Sequence, residues 1–173
     1  MLLRMNPLEA VRRAFRPGET ASDQLWTMVV LEKHHHFLRK ETLREAAEKA
    51  YGHSFAPGHA DYQVTQSTST FVKIGEDVIH ITQSSQPHVG RPHEVQTEAS
   101  DHQMQHGAWK EHKGYFVLEL YSKNRPKKEA YGVMAKLAQA LMDDNIVGVY
   151  LPRDNEFYPN DGSAASRLKH FIG

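Results

Sequence analysis

The chain contains no cysteine. That absence excludes disulfides, zinc–thiolate centres and thiol nucleophiles together, and leaves His, Asp and Glu as the ordinary metal ligands. It also fits a reducing compartment, so a cytoplasmic location is expected. Long apolar runs are missing too. Met1 to Met5 holds only two consecutive leucines before Arg4, too short for a signal-peptide core or a membrane span, so no membrane partner is expected. There is no charge of one dominant sign: 21 Lys and Arg balance 21 Asp and Glu. A neutral chain exerts no global field on a polyanion, so nucleic-acid binding would need a local patch. Such clusters occur at Arg12, Arg13 and Arg16, and again at Lys123, Arg125, Lys127 and Lys128, without interleaved stacking aromatics.

Catalytic signatures are equally scarce. Ser and Thr are plentiful around positions 65–70 and 82–85, but no G-x-S-x-G elbow surrounds any of them, and no glycine-rich phosphate loop occurs. What the chain has in unusual number is histidine, twelve in 173 residues. Exposed and unperturbed, they would carry the net charge towards about +12 as pH falls through roughly 6.5.

A chain of this length buries roughly 70% of its unfolded surface and reads as one domain with appendages. Asn6 and Pro7, followed by Leu8, Val11 and Phe15, predict a short helix in an N-terminal arm, residues 1–24. The α+β core spans 25–151. Leu25 to Leu31 is a nearly continuous apolar run and predicts a central strand. Leu43, Ala46, Ala47, Ala50 and Tyr51 follow helical spacing, with Gly52 as C-terminal cap. Residues 52–68 lack a period and read as a long loop. Thr70 to Ile74 and Val78 to Thr82 alternate around Gly75, a hairpin whose turn uses positive φ at that glycine. Ser100 and Gln103 form a capping box for a helix that contains Gly107.

Tyr115 to Tyr121 is an aromatic strand. Ala130, Val133, Met134, Leu137, Ala138 and Leu141 line the clearest helix, and Ile146 to Leu151 follows as a buried strand. Residues 152–173 read as a polar tail ending in a short helix with Ala165, Leu168, Phe171 and Ile172 inward. The order β-α-β-β-α-β-α-β, with helices at both ends, predicts an α+β fold. We expect a mixed or mostly antiparallel sheet with helices on one face, ferredoxin-like or a related sandwich. The alternative is three layers, with the terminal helices on the other face.

His102 and His106 stand four apart on a helix, the spacing at which two imidazoles share a face and can hold a divalent metal such as zinc. A site needs further ligands, for which Asp101 or Glu98 is nearest; His112 lies well round the helix, and Gln103 replaces the glutamate of the HExxH protease pattern. Two faces compete for the core here, one carrying Trp109 with both histidines and one carrying Met104 and Ala108. His34, His35 and His36 follow the first strand; in extended chain only His34 and His36 share a side, where they would line a cleft or open a solvated loop. His88, Arg91 and His93 sit in a Gly/Pro loop where anion or substrate contact and plain solvation compete.

The stretch YFVLELY and, beyond it, AKLAQALMDDNIVGVYLP resemble uncharacterised bacterial proteins grouped as domain of unknown function 4261. The resemblance covers about a third of the chain, its C-terminal part, and implies a bacterial origin and an α+β fold but no activity. The absence of a complete catalytic or cofactor motif leads to a non-catalytic interaction or ligand-sensing module without a cofactor. Apolar helix faces at either terminus add the expectation of a homo-oligomer. The alternative is a His-dependent, metal-assisted hydrolase using His102 and His106, and a second is nucleic-acid binding through the basic clusters.

Overall fold

The computed structural model describes residues 25–90, 92, 103–122 and 125–173, with backbone alone at 103–106. Its frame is one antiparallel seven-stranded sheet in the order β2-β3-β4-β5-β1-β6-β7. β1 (Leu25–Glu32) lies at the centre, paired with β5 (Gly114–Tyr121) on one side and β6 (Ile146–Leu151) on the other. β2 (Tyr62–Gln66), β3 (Thr70–Ile74) and β4 (Asp77–Ser84) extend it beyond β5, and β7 (Glu156–Pro159) closes the other side. The fold is therefore α+β, with an antiparallel sheet. Two strands exceed the sequence reading: β2 lies inside the expected loop, and β7 inside the expected polar tail.

Alternation along the strands makes two cores. Met28 and Val30 of β1 and Phe116, Leu118 and Leu120 of β5 face one way. Above them lie α1 (Lys40–Tyr51), α3 (Lys127–Leu141) and α4 (Ser163–Ile172), with α3 between the other two. That position explains why α3 buries Tyr131, Gly132 and Ala135 as well as the residues of its predicted stripe. On α4 it is Ala164, with Leu168 and Phe171, that is fully buried.

The expectation of helices on one face needs correction. Val29 and Leu31 of β1, Val117 of β5 and Phe157 of β7 face the opposite way, against Trp109 of α2 (Gln103–Glu111). Trp109 brings its large apolar ring onto this side of the sheet and Ala108 packs beside it, while the Met104 side chain lies outside the described residues. The three-layer alternative is thus met by an internal helix, while α4 stays on the first face. β6 serves both cores through an irregular register: Leu31 pairs with Gly148 and Glu32 with Ile146, so Val147 is an extra residue. Ile146 and Val149 consequently share the first core while Val147 and Tyr150 share the second.

Candidate functional site

One end of the sheet brings together the buried Glu32 and five histidines of the described residues, His34, His35, His36, His88 and His112. The exit of β1, the exit of β4, the start of β5 and the start of β6 meet there, because β1 is antiparallel to both neighbours. Glu32 ends β1 and is fully buried, at 0% exposure. The chain bends at Lys33 and His34 and returns two imidazoles to this carboxylate. His35 Nδ1 lies 3.3 Å from Oε2 and His36 Nδ1 lies 2.8 Å from Oε1. The His36 contact is one of charge: Oε1 receives no hydrogen bond of proper angle among the described residues. Burial pushes the Glu32 carboxyl above its usual pKa, the charges of His36 and His35 pull it down, and Asp143 adds to the upward push.

Asn145 ties this cluster to β6. Its Nδ2 donates to the His34 carbonyl at 2.8 Å, its Oδ1 accepts from the His34 N–H at 3.0 Å, and its carbonyl accepts from the Lys33 N–H at 2.8 Å. Lys33 and the two chain neighbours of Asn145, Asp144 and Ile146, line a cleft of ≈ 620 Å³. Among the described residues, Glu111, Asp144 and Asp161 give it three carboxylates against the ammonium of Lys33, beside apolar lining that includes Val147 and Pro159. The Ser163 N–H donates to Asp161 at 3.0 Å, and hydrogen bonding from Ser163 holds this carboxyl below its usual pKa and so ionised.

Beside the same end, His112 is buried and His88 half-buried. His112 Nε2 accepts the His88 backbone N–H at 2.9 Å, so its proton sits on Nδ1, which faces the Trp109 carbonyl. His88 Nδ1 in turn accepts from Gly90 N–H at 2.9 Å, and its ring packs edge-on against Tyr115 and Tyr150. Desolvation, and secondarily the neighbouring His112, holds the His88 pKa below its ordinary value. Both rings act as acceptors for backbone amides, a structural role.

The sequence candidates therefore separate. His36 belongs to the buried carboxylate cluster. His34 does not share its side, as extended chain would require; the bend places His35 and His36 on Glu32, while the His34 backbone bonds Asn145. His88 packs in the second core instead of a solvated loop. Arg91, His93, His102, Glu98 and Asp101 lie outside the described residues, as does the His106 side chain. Among the described residues no group of three or more His, Asp and Glu is placed to hold a metal ion. Of the basic patches, Arg125 pairs with Asp77 at 2.6 Å and Lys127 with Asp154, while Lys123, Arg12, Arg13 and Arg16 lie outside the described residues.

Sequence reasoning missed Glu32 and Asn145. The signal for Glu32 was present as a carboxylate three and four residues before two imidazoles; Asn145 is 111 residues from His34 and left none. No helix among the described residues is long and apolar enough to cross a membrane. No protein family, no curated protein and no solved structure matches this chain.

Proposed function

We propose that the chain is a non-catalytic, cytoplasmic ligand-sensing module that takes a small cationic ligand, an alkylamine or guanidinium compound, in the cleft beside Glu32. One observation carries this reading: Lys33, which lines a cleft with three carboxylates, directly follows Glu32, a buried carboxylate held between two imidazoles. A cation seated between Asp144 and Asp161 raises the positive potential near Glu32 and favours its ionised form. The Glu32 proton is then released, and the attraction of the ionised carboxylate to His35 and His36 is set against the cost of burying its charge, so occupancy is converted into a change of charge state at the β1–α1 connection. The wall of Ile146, Val147 and Pro159 accommodates the carbon chain of such a ligand.

Calorimetric titration with 1,4-diaminobutane tests the reading. Binding weakened about tenfold or more by Asp144→Asn with Asp161→Asn supports it, since charged hydrogen bonds contribute about 1.5–3 kcal/mol each. Absence of binding, or binding indifferent to both changes, sinks it.

The same proposal includes a finer reading of the fold and its kinship. The order β6-β1-β5-β4, with α1 and α3 as the connecting helices on one face, supports treating these elements as a ferredoxin-like core. To it β2, β3, α2, β7 and α4 are additions. The unit β5-α3-β6 is the part that carries the resemblance to domain of unknown function 4261, and we propose kinship there.

A further inference from the structure

Two strands end the sheet, and the chain treats them differently. β7 has four residues, begins with Glu156 and ends at Pro159, which has no N–H to offer. Shortness, charge and proline are the devices that keep an edge from pairing. β2, also short at five residues, lacks the other two: from Tyr62 to Val72 there is no charged residue and no proline. The Asp61 carbonyl accepts from Gly75 N–H at 2.7 Å and Ser67 N–H donates to the Ser69 carbonyl at 3.1 Å. With the pairing of Tyr62 to Ile74 through Gln66 to Thr70, these bonds put the odd-numbered residues in the ladder with β3. The backbone groups of Val64 and Gln66 therefore turn outward, where no strand of the described residues pairs.

Along this edge runs a groove of ≈ 320 Å³. One wall is the start of α1, with Lys40, Glu41 and Arg44; the other is β2, with Tyr62 and Val64. Phe55 stacks on Tyr62 at 4.8 Å between centroids and supplies an aromatic floor. The Tyr62 hydroxyl is buried there without a hydrogen-bond partner among the described residues. Among the described residues lining the groove, two cations of α1 face one carboxylate, Glu48 behind them being engaged by the Phe55 N–H at 2.9 Å, and Arg39 at the N-cap supplies no side-chain cap to the first-turn amides.

We propose that this groove docks an extended, acidic segment of a partner protein, which adds an eighth strand along β2. The backbone of the segment pairs with Val64 and Gln66, an apolar side chain lies on Phe55 and Tyr62, and a carboxylate meets Lys40 and Arg44. A second copy of this chain fits less well. Edge-to-edge pairing about Val64 brings in the uncharged β2 of the other copy, and Lys40 and Arg44 gain no counter-charge. The surface is separate from the cleft at Glu32.

The test uses the full chain, a displayed library of random heptapeptides, and two variants. Val64→Pro deletes one outward N–H while sparing the ladder with β3, and the pair Lys40→Glu with Arg44→Glu reverses the wall. Enrichment of alternating apolar peptides that carry Asp or Glu, bound at least tenfold more weakly by Val64→Pro, supports the proposal, and so does a switch to Lys- or Arg-bearing peptides in the charge-reversed chain. No enrichment, or enrichment that neither variant alters, overturns it. A dimer that Val64→Pro converts to monomer, with no peptide captured, overturns it in favour of a second copy.

Discussion

Nδ1 of His36 lies 2.8 Å from Oε1 of Glu32, a carboxylate with no contact with solvent. Burying such a group is costly unless a charge or hydrogen bonds compensate it, and here one of its oxygens has only the charge of a half-exposed imidazole.

Stability should therefore depend on pH through Glu32. Its folded pKa is raised above the ordinary 4.5, chiefly by burial. A raised folded pKa contributes stability that is complete below the unfolded value and is lost as pH rises through the folded value. Urea denaturation from about pH 4 to pH 7 should show the wild type losing ground steadily to Glu32→Gln above the ordinary carboxylate range. A difference between the two proteins that is constant with pH would remove the assignment.

His88 acts in the opposite sense. Its folded pKa is lowered below 6.5 by desolvation, with His112 contributing second, so the stability it confers is present above 6.5 and lost as pH falls through the folded value. The stability gap between wild type and His88→Phe should narrow between about pH 7 and pH 5. A gap that stays constant over this range would show that the ring is solvated in the native protein.

The second core rests on one side chain. Trp109 packs edge-on against Tyr150 at 5.4 Å and Phe157 at 5.2 Å and is 7% exposed. Trp109→Ala should cost about 3–5 kcal/mol in equilibrium unfolding, the range for a buried aromatic. A loss below about 1 kcal/mol would mean that α2 does not cover this face.

Gly148 tests the closeness of β6 and β7. A Cβ there would stand 2.5 Å from Phe157 Cε2 and 2.5 Å from the Tyr158 carbonyl oxygen. Because one of these neighbours is backbone and cannot swing away, Gly148→Ala should destabilise by about 1–3 kcal/mol. An unchanged unfolding midpoint would show that the edge pairing is looser than described.

Metal content separates the sensing reading from metal-assisted hydrolysis. Elemental analysis of the purified, tag-free protein should find no stoichiometric transition metal. A stoichiometric metal that disappears in His102→Ala with His106→Ala would replace the sensing module by the hydrolase.

The elements legible in the sequence are those whose burial imposes a period. β1 and β6 are apolar runs because both faces are covered, and α1 and α3 show their stripes because one face meets the sheet. β2 and β7 escaped because an edge strand is short and half-solvated: Tyr62 and Val64 alternate with Gln63 and Thr65 for only four residues before a run of Gln, Ser and Thr, and Phe157, Tyr158 and Pro159 stand among polar residues. The histidines of the site were visible, but their grouping was not. Read as extended chain, His34 and His36 share a side; the bend at Lys33 and His34 instead makes positions three and four beyond Glu32 the ones that meet it. Asn145 belongs to a contact between distant segments, and pattern along the chain carries no trace of such a contact.

The central claim is that occupancy of the cleft and protonation of Glu32 are linked. Calorimetric titration with 1,4-diaminobutane in two buffers of different ionisation enthalpy, on wild type and on Glu32→Gln, gives the protons exchanged per ligand bound. Net proton release in the wild type that is abolished in Glu32→Gln is the predicted result; equal exchange in both proteins, or proton uptake on binding, would contradict the account.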